Sequence, residues 1–111
     1  MQNANMMTST TFDLPGYTVE QNLGLCWGLL VRSTGLAKGI TGSFKSLRAG
    51  EVSQFSDVVE KARETALERL IAHAHDLGGN AVLGVRFGSS NVGDGLAEVL
   101  AYGTAVVVRP T

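Results

Sequence analysis

The stretch from Ser53 to Leu77 constrains the fold more than any other part of the chain. At about 100° per residue, Phe55, Val58, Val59, Ala62, Ala66, Leu70, His73 and Leu77 fall on one stripe, while Lys61, Glu64, Glu68, Ala72 and Asp76 face away. Ser53 or Ser56 can cap the start, and Gly78-Gly79 supplies the left-handed residue that ends a helix. A long amphipathic helix therefore has to bury one side. Ala62 and Ala66 let that side lie close on a sheet, and Leu67 and Ile71 widen the apolar surface beyond what one sheet face needs, which makes both candidates for subunit contact.

The rest of the chain supplies the sheet. From Tyr17 to Arg32, Val19, Leu23, Leu25, Trp27, Leu29 and Val31 alternate with Thr18, Glu20, Asn22, Gly24, Cys26 and Gly28, the pattern of one long strand with an apolar face. Gly24 and Gly28 on its weaker face mark a bulge or the approach of another backbone, for which a neighbouring subunit is a candidate. Ala81 to Phe87 is β-rich without alternation, as in a strand covered on both faces. Gly88 to Gly95 reads as a hairpin loop and Leu96 to Arg109 as a further long strand. Between Ser33 and Gly50, Leu36, Ile40, Phe44 and Leu47 recur at helical spacing in a Gly-rich, basic segment, predicting a short, weak and mobile helix. Residues 1–11 show no periodicity, so a mobile N-terminal segment followed by one domain over 12–111 is expected.

The expected fold class is thus α+β: an antiparallel β-sheet in the order β-α-β-β, with one long helix on it. A three-stranded sheet under one helix leaves a second face bare. Here that face is expected to carry Gly, Ala, Val and Cys rather than charge, and burial against other copies would cover it. Size points the same way, since a chain of 111 residues buries only roughly two-thirds of its unfolded surface and has a thin stability margin.

Nine Lys and Arg against ten Asp and Glu give a formal charge of -1 and no field to gather phosphate backbones or anionic lipid, so nucleic acid and membrane are not expected partners. A single cysteine, Cys26, cannot form an internal disulfide, and the polar start lacks a signal-peptide pattern, which makes the cytoplasm the expected location.

Several ordered pieces resemble the YbjQ-like family of small bacterial proteins, often labelled putative heavy-metal-binding. They are Thr10-Thr11 followed by Leu14 and Gly16, Gly24 and Gly28, Ala62-Arg63-Glu64 with Ala66 and Leu70, Leu77-Gly78 with Ala81-Val82 and Gly84-Val85, and Gly103-Thr104-Ala105-Val106. The resemblance implies a dodecin-type subunit that assembles as a pentameric ring, with short extra strands joining neighbours. Two departures stand out. Ala49-Gly50-Glu51-Val52 and Phe55-Ser56 replace a Gly-Gly-Arg-Ser and Tyr-Glu pattern, and Asn80 stands where the family commonly has Asp.

Candidate sites are few. Cys26, His73 and His75 could ligate a metal, but two histidines two positions apart point about 200° apart on a helix and cannot chelate one ion together. His73 on the apolar stripe reads as an interface histidine and Cys26 as a small buried hydrophobe without an activating base. Gly39 to Ser46 superficially matches a phosphate loop, but Phe44 replaces the second glycine, which leaves at most an anion contact by Lys38, Lys45 or Arg48. Arg63, at the edge of the stripe, calls for a structural pairing with a carboxylate such as Glu60 or Glu98 or with a neighbouring chain. Arg63, Leu67, Ile71 and Trp27 are the candidate interface residues. No nucleophile with a base and no paired carboxylates are found, so no enzyme and no cofactor are expected. The leading expectation is a ring-forming homo-oligomer, pentamer or decamer, of structural or binding function. The second is a metal- or small-ligand-binding module using His73 or Cys26 once per chain at an interface.

Overall fold

The computed structural model describes residues 6–33, 53–93 and 95–111. Four strands and one helix follow in the order β1 (Met7–Thr8), β2 (Tyr17–Ser33), α1 (Ser53–Asp76), β3 (Ala81–Gly93) and β4 (Leu96–Pro110). They form one sheet in the order β1-β3-β4-β2. The expected antiparallel arrangement holds for β2, β4 and β3, but β1 pairs parallel to β3, Met7 opposite Ala81 and Thr8 opposite Val82, so the sheet is mixed. Met7 and Thr8, within the N-terminal stretch 1–11, thus already belong to the sheet. No helix among the described residues is long and apolar enough to cross a membrane.

The hairpin between β3 and β4 also differs from expectation. Ser89, Ser90 and Asn91 favour turns by composition, yet they pair with Val99, Glu98 and Ala97, and β3 continues to Gly93. Cross-strand pairing has overridden local preference. Continuous pairing of β2 with β4 from Tyr17–Pro110 to Ser33–Leu96 makes the sheet long. The principal extents are 55 × 27 × 23 Å with a radius of gyration of 17.0 Å, against about 13 Å for a compact chain of this length.

Helix α1 ends as expected, with Gly78 at φ 95° and its N–H donating to the His75 carbonyl, while Gly79 N–H donates to Ala74. The helix buries Ala62, Ala66, Leu70, Ile71 and Ala74, a smaller-sided stripe than the periodicity predicts, and leaves Val59 and Leu77 exposed. Small residues meet small residues: Cys26, Ala101 and Ala105 from β2 and β4 share this core with Ala66, Leu70, Ala74, Val82 and Val85.

Which face of β2 the helix covers is the reverse of what its apolar alternation predicts. Gly28 points at α1, where a Cβ would run into the Ala66 carbonyl oxygen and the Leu70 nitrogen. The close backbone that its glycine marks is thus the helix of the same chain. Gly24 makes the other predicted feature, a bulge, with φ 96° and a register shift between Asn22 and Gly24. The bulge moves Leu23 into contact with the helix-side core and leaves Leu25, Trp27, Leu29 and Val31 on the opposite face.

A second, smaller core covers one end of that opposite face. Ala81, Leu83, Val106 and Val108 are buried there with Met7 and Leu14 of the N-terminal strap packed on them. Asn80 locks this end: its amide donates to the Val108 carbonyl at 2.9 Å and accepts the Val108 N–H at 2.8 Å. An aspartate could accept but not donate here, so the asparagine suits this two-way bridge.

Candidate functional site

Among the described residues, the remainder of the opposite sheet face is apolar and uncovered. Leu25, Trp27, Leu29 and Val31 on β2 are 63, 47, 39 and 47% exposed, and Tyr102 on β4 is 39% exposed. Leu25, Trp27, Leu100 and Tyr102 line an open groove with apolar walls. The expected bare face is therefore present, but it carries large apolar side chains rather than Gly, Ala, Val and Cys. Those small residues face the helix instead, because an alanine stripe can approach a sheet closely only where the sheet side chains are short.

Strand β2 lies at the sheet edge, and its outward backbone groups are partly capped by the helix. Arg69 Nη1 donates to the Leu29 carbonyl at 2.7 Å, and His73 Nδ1 accepts the Trp27 N–H at 3.1 Å. The Trp27 and His73 rings meet edge to face, centroids 4.4 Å apart at 77°. Residues four apart on one helix face thus close two adjacent positions of an open edge, a device that blunts strand addition there. Arg69 is not singled out by the sequence, although its i, i+4 spacing to His73 is the signal that would have found it.

The metal candidates do not converge. Cys26 is fully buried with its thiol donating to the Gly103 carbonyl at 3.5 Å, and burial pushes the thiol pKa up. His73 Nδ1 is already engaged, accepting the Trp27 backbone N–H. His75 is exposed. Among the described residues no three His, Cys, Asp or Glu side chains come together as a metal-binding group. Because the thiol is both inaccessible and held protonated, Cys26 is expected to stay unreactive toward Ellman's reagent at pH 8 and to titrate fully only in denaturant. Rapid labelling of the native protein would contradict the buried placement.

Among the described residues Arg63 makes no ion pair with Glu60 or Glu98. Its guanidinium sits 6.0 Å from the centroid of Phe87, and together with Glu60, Glu64 and Leu67 the pair lines a shallow concavity between α1 and β3. The ion pairs among the described residues are Lys61–Glu64 at 3.9 Å and Arg109–Glu20 at 3.0 Å, both exposed. Ile71 is 6% exposed within a single chain, and Leu67 packs partly against the helix-side core. Ile71 is therefore a core residue of the protomer and offers little surface to a neighbour. Trp27 alone of the four interface candidates lies on the uncovered face. Lys38, Lys45 and Arg48, and the short helix expected around them, lie outside the described residues.

A family model described as putative heavy-metal-binding matches residues 6–109. Similar proteins carry the same non-committal name, UPF0145 protein. One from Methanoregula boonei is 46% identical over 99% of this chain and 91% of its own length. One from Paraburkholderia phymatum is 45% identical over 93% of both chains, and one from Thermococcus kodakarensis is 44% identical over 94% and 92%. A crystal structure of a protein of unknown function from Pediococcus pentosaceus has the same fold, with a TM-score of 0.60 at 17% identity over 94% of this chain and 98% of that one. The relatives come from archaea as well as bacteria, so the family is wider than small bacterial proteins. By the match over nearly its whole length and by these identities, the chain belongs to the YbjQ family of UPF0145 proteins.

Proposed function

We propose that this protein works as a ring-forming homo-oligomer, a pentamer or a decamer, with a structural or ligand-presenting role in the cytoplasm and no catalytic centre. The observation that carries this reading is the uncovered apolar face of β2 and β4. Monomeric proteins rarely leave a contiguous patch of large apolar side chains in water, and such a patch marks a surface that another molecule covers. With the β2 edge capped at Trp27 and Leu29, contact through this face is favoured over strand addition at that point. The reading agrees with the thin core of so short a chain, which assembly supplements.

Native mass spectrometry of protein purified without added metal tests it. A mass of five or ten times the 11.7 kDa chain is the expected result, and a monomer at micromolar concentration would overturn the reading. The family description raises metal binding as a second reading. It has no converging ligand set among the described residues, so it would need one ligand per chain meeting across an interface. Retained mass equal to one metal per chain or per ring in the same spectrum would establish it.

A further inference from the structure

The N-terminal strap presents an aromatic side chain outward in a fixed position. Phe12 is 79% exposed, the highest value among the large apolar residues described. It is nevertheless held from several sides. Gly84 N–H donates to the Thr11 carbonyl at 2.8 Å, Val85 N–H to Ser9 at 3.0 Å, and Arg86 Nη1 to Thr10 at 2.9 Å. The Thr11 hydroxyl donates to the Asp13 carbonyl at 2.8 Å. Below the ring lies Gly84, where a Cβ would sit 2.8 Å from the Phe12 edge, and the Arg86 guanidinium stands 5.8 Å from its centroid. Such pinning lowers the ordering cost of using Phe12 as an anchor.

Across the sheet, Arg86 pairs with Tyr102 and Tyr102 with Trp27, so Arg86, which stands against the Phe12 ring, lies on one cross-strand row with two residues of the apolar groove. Among the described residues the knob and the groove do not satisfy each other, since Phe12 remains 79% exposed while Leu25, Trp27 and Tyr102 remain 39–63% exposed. A chain that carries both a pinned aromatic knob and an empty apolar groove is complementary to a second copy of itself. A foreign partner would require only one of the two.

We infer that Phe12 of one copy seats in the groove formed by Leu25, Trp27, Leu100 and Tyr102 of the next. This rests on the homo-oligomer reading and names the contact that builds it. A buried aromatic in a desolvated pocket is the usual form of an interface hot spot.

The chain has one tryptophan, and it lines the proposed receptor, so Trp27 fluorescence reports occupancy directly. In the wild-type assembly its emission should be blue-shifted and shielded from acrylamide. Phe12→Ala should red-shift the emission, expose it to quenching, and raise the protein concentration at half-dissociation by about tenfold or more. Phe12→Leu, which keeps an apolar knob and the strap packing, should retain most of the assembly. If Phe12→Ala assembles and quenches like the wild type, the inference is overturned. Where Leu25→Lys with Leu29→Lys still disperses that assembly, the uncovered-face reading stands without Phe12, and where it does not, both fall.

Discussion

Gly28→Val is expected to leave no folded protein, and Gly28→Ala to cost about 3 kcal/mol, the upper end of what overpacking a core costs. The atoms that a Cβ would strike are the Ala66 carbonyl oxygen and the Leu70 nitrogen, both helix backbone. A side chain could rotate away, but backbone cannot move without lifting α1 from the sheet. Ala66, Leu70 and Ala74 would then lose contact with Cys26, Ala101 and Ala105, the centre of the larger core. In urea the alanine variant should shift its midpoint downward by roughly 1–3 M, using the slopes typical of small domains. Gly88→Ala serves as the control, because a Cβ there meets nothing within 4 Å, and its midpoint should scarcely move. Equal midpoints for Gly28→Ala and wild type would mean that α1 does not lie on this face of β2.

The second large effect concerns assembly. Leu25→Lys combined with Leu29→Lys is expected to convert the assembly to monomer at micromolar concentration, read by light scattering coupled to size exclusion. Both side chains point away from the helix-side core and are 63 and 39% exposed in the protomer, so the substitutions leave the fold's own packing in place. In a covered interface each leucine contributes apolar burial worth about 1.5–3 kcal/mol when complete, whereas an unpaired ammonium there costs several kcal/mol. Circular dichroism should show the protomer still folded, with a melting temperature that no longer rises with protein concentration. Retention of the wild-type mass by the double variant would remove the uncovered face as the interface.

Much of the architecture is legible in the residues. The stripe through Ala62, Ala66 and Leu70 with Gly78 beyond it specifies α1 nearly to its ends, since helical period and a left-handed terminator are local properties. The alternation from Tyr17 specifies β2, and its two glycines announce a bulge and a close approach, both of which the fold contains. Less is legible where partners are remote. β1 is two residues long, held by pairing with Ala81 and Val82 more than seventy positions away, and no local pattern marks it. Ser89 to Asn91 carry turn chemistry and become strand because Leu96 to Val99 lie opposite.

The candidate site divides in the same way. Trp27 is identified from sequence, but Arg69 and Tyr102 acquire their roles only from position across the fold, and Ile71, expected at an interface, is enclosed by its own chain. Alternation alone determined that β2 has a large-residue face and a small-residue face. Only the tertiary structure decided which of them meets the helix. A helix whose contact stripe is alanine gains most by approaching backbone closely, and the row of Cys26, Gly28 and Ala101 permits that approach where Leu25, Trp27 and Leu29 would hold it off. The larger apolar row is thereby left facing outward, and its exposure follows from close packing on the other side of the same strand.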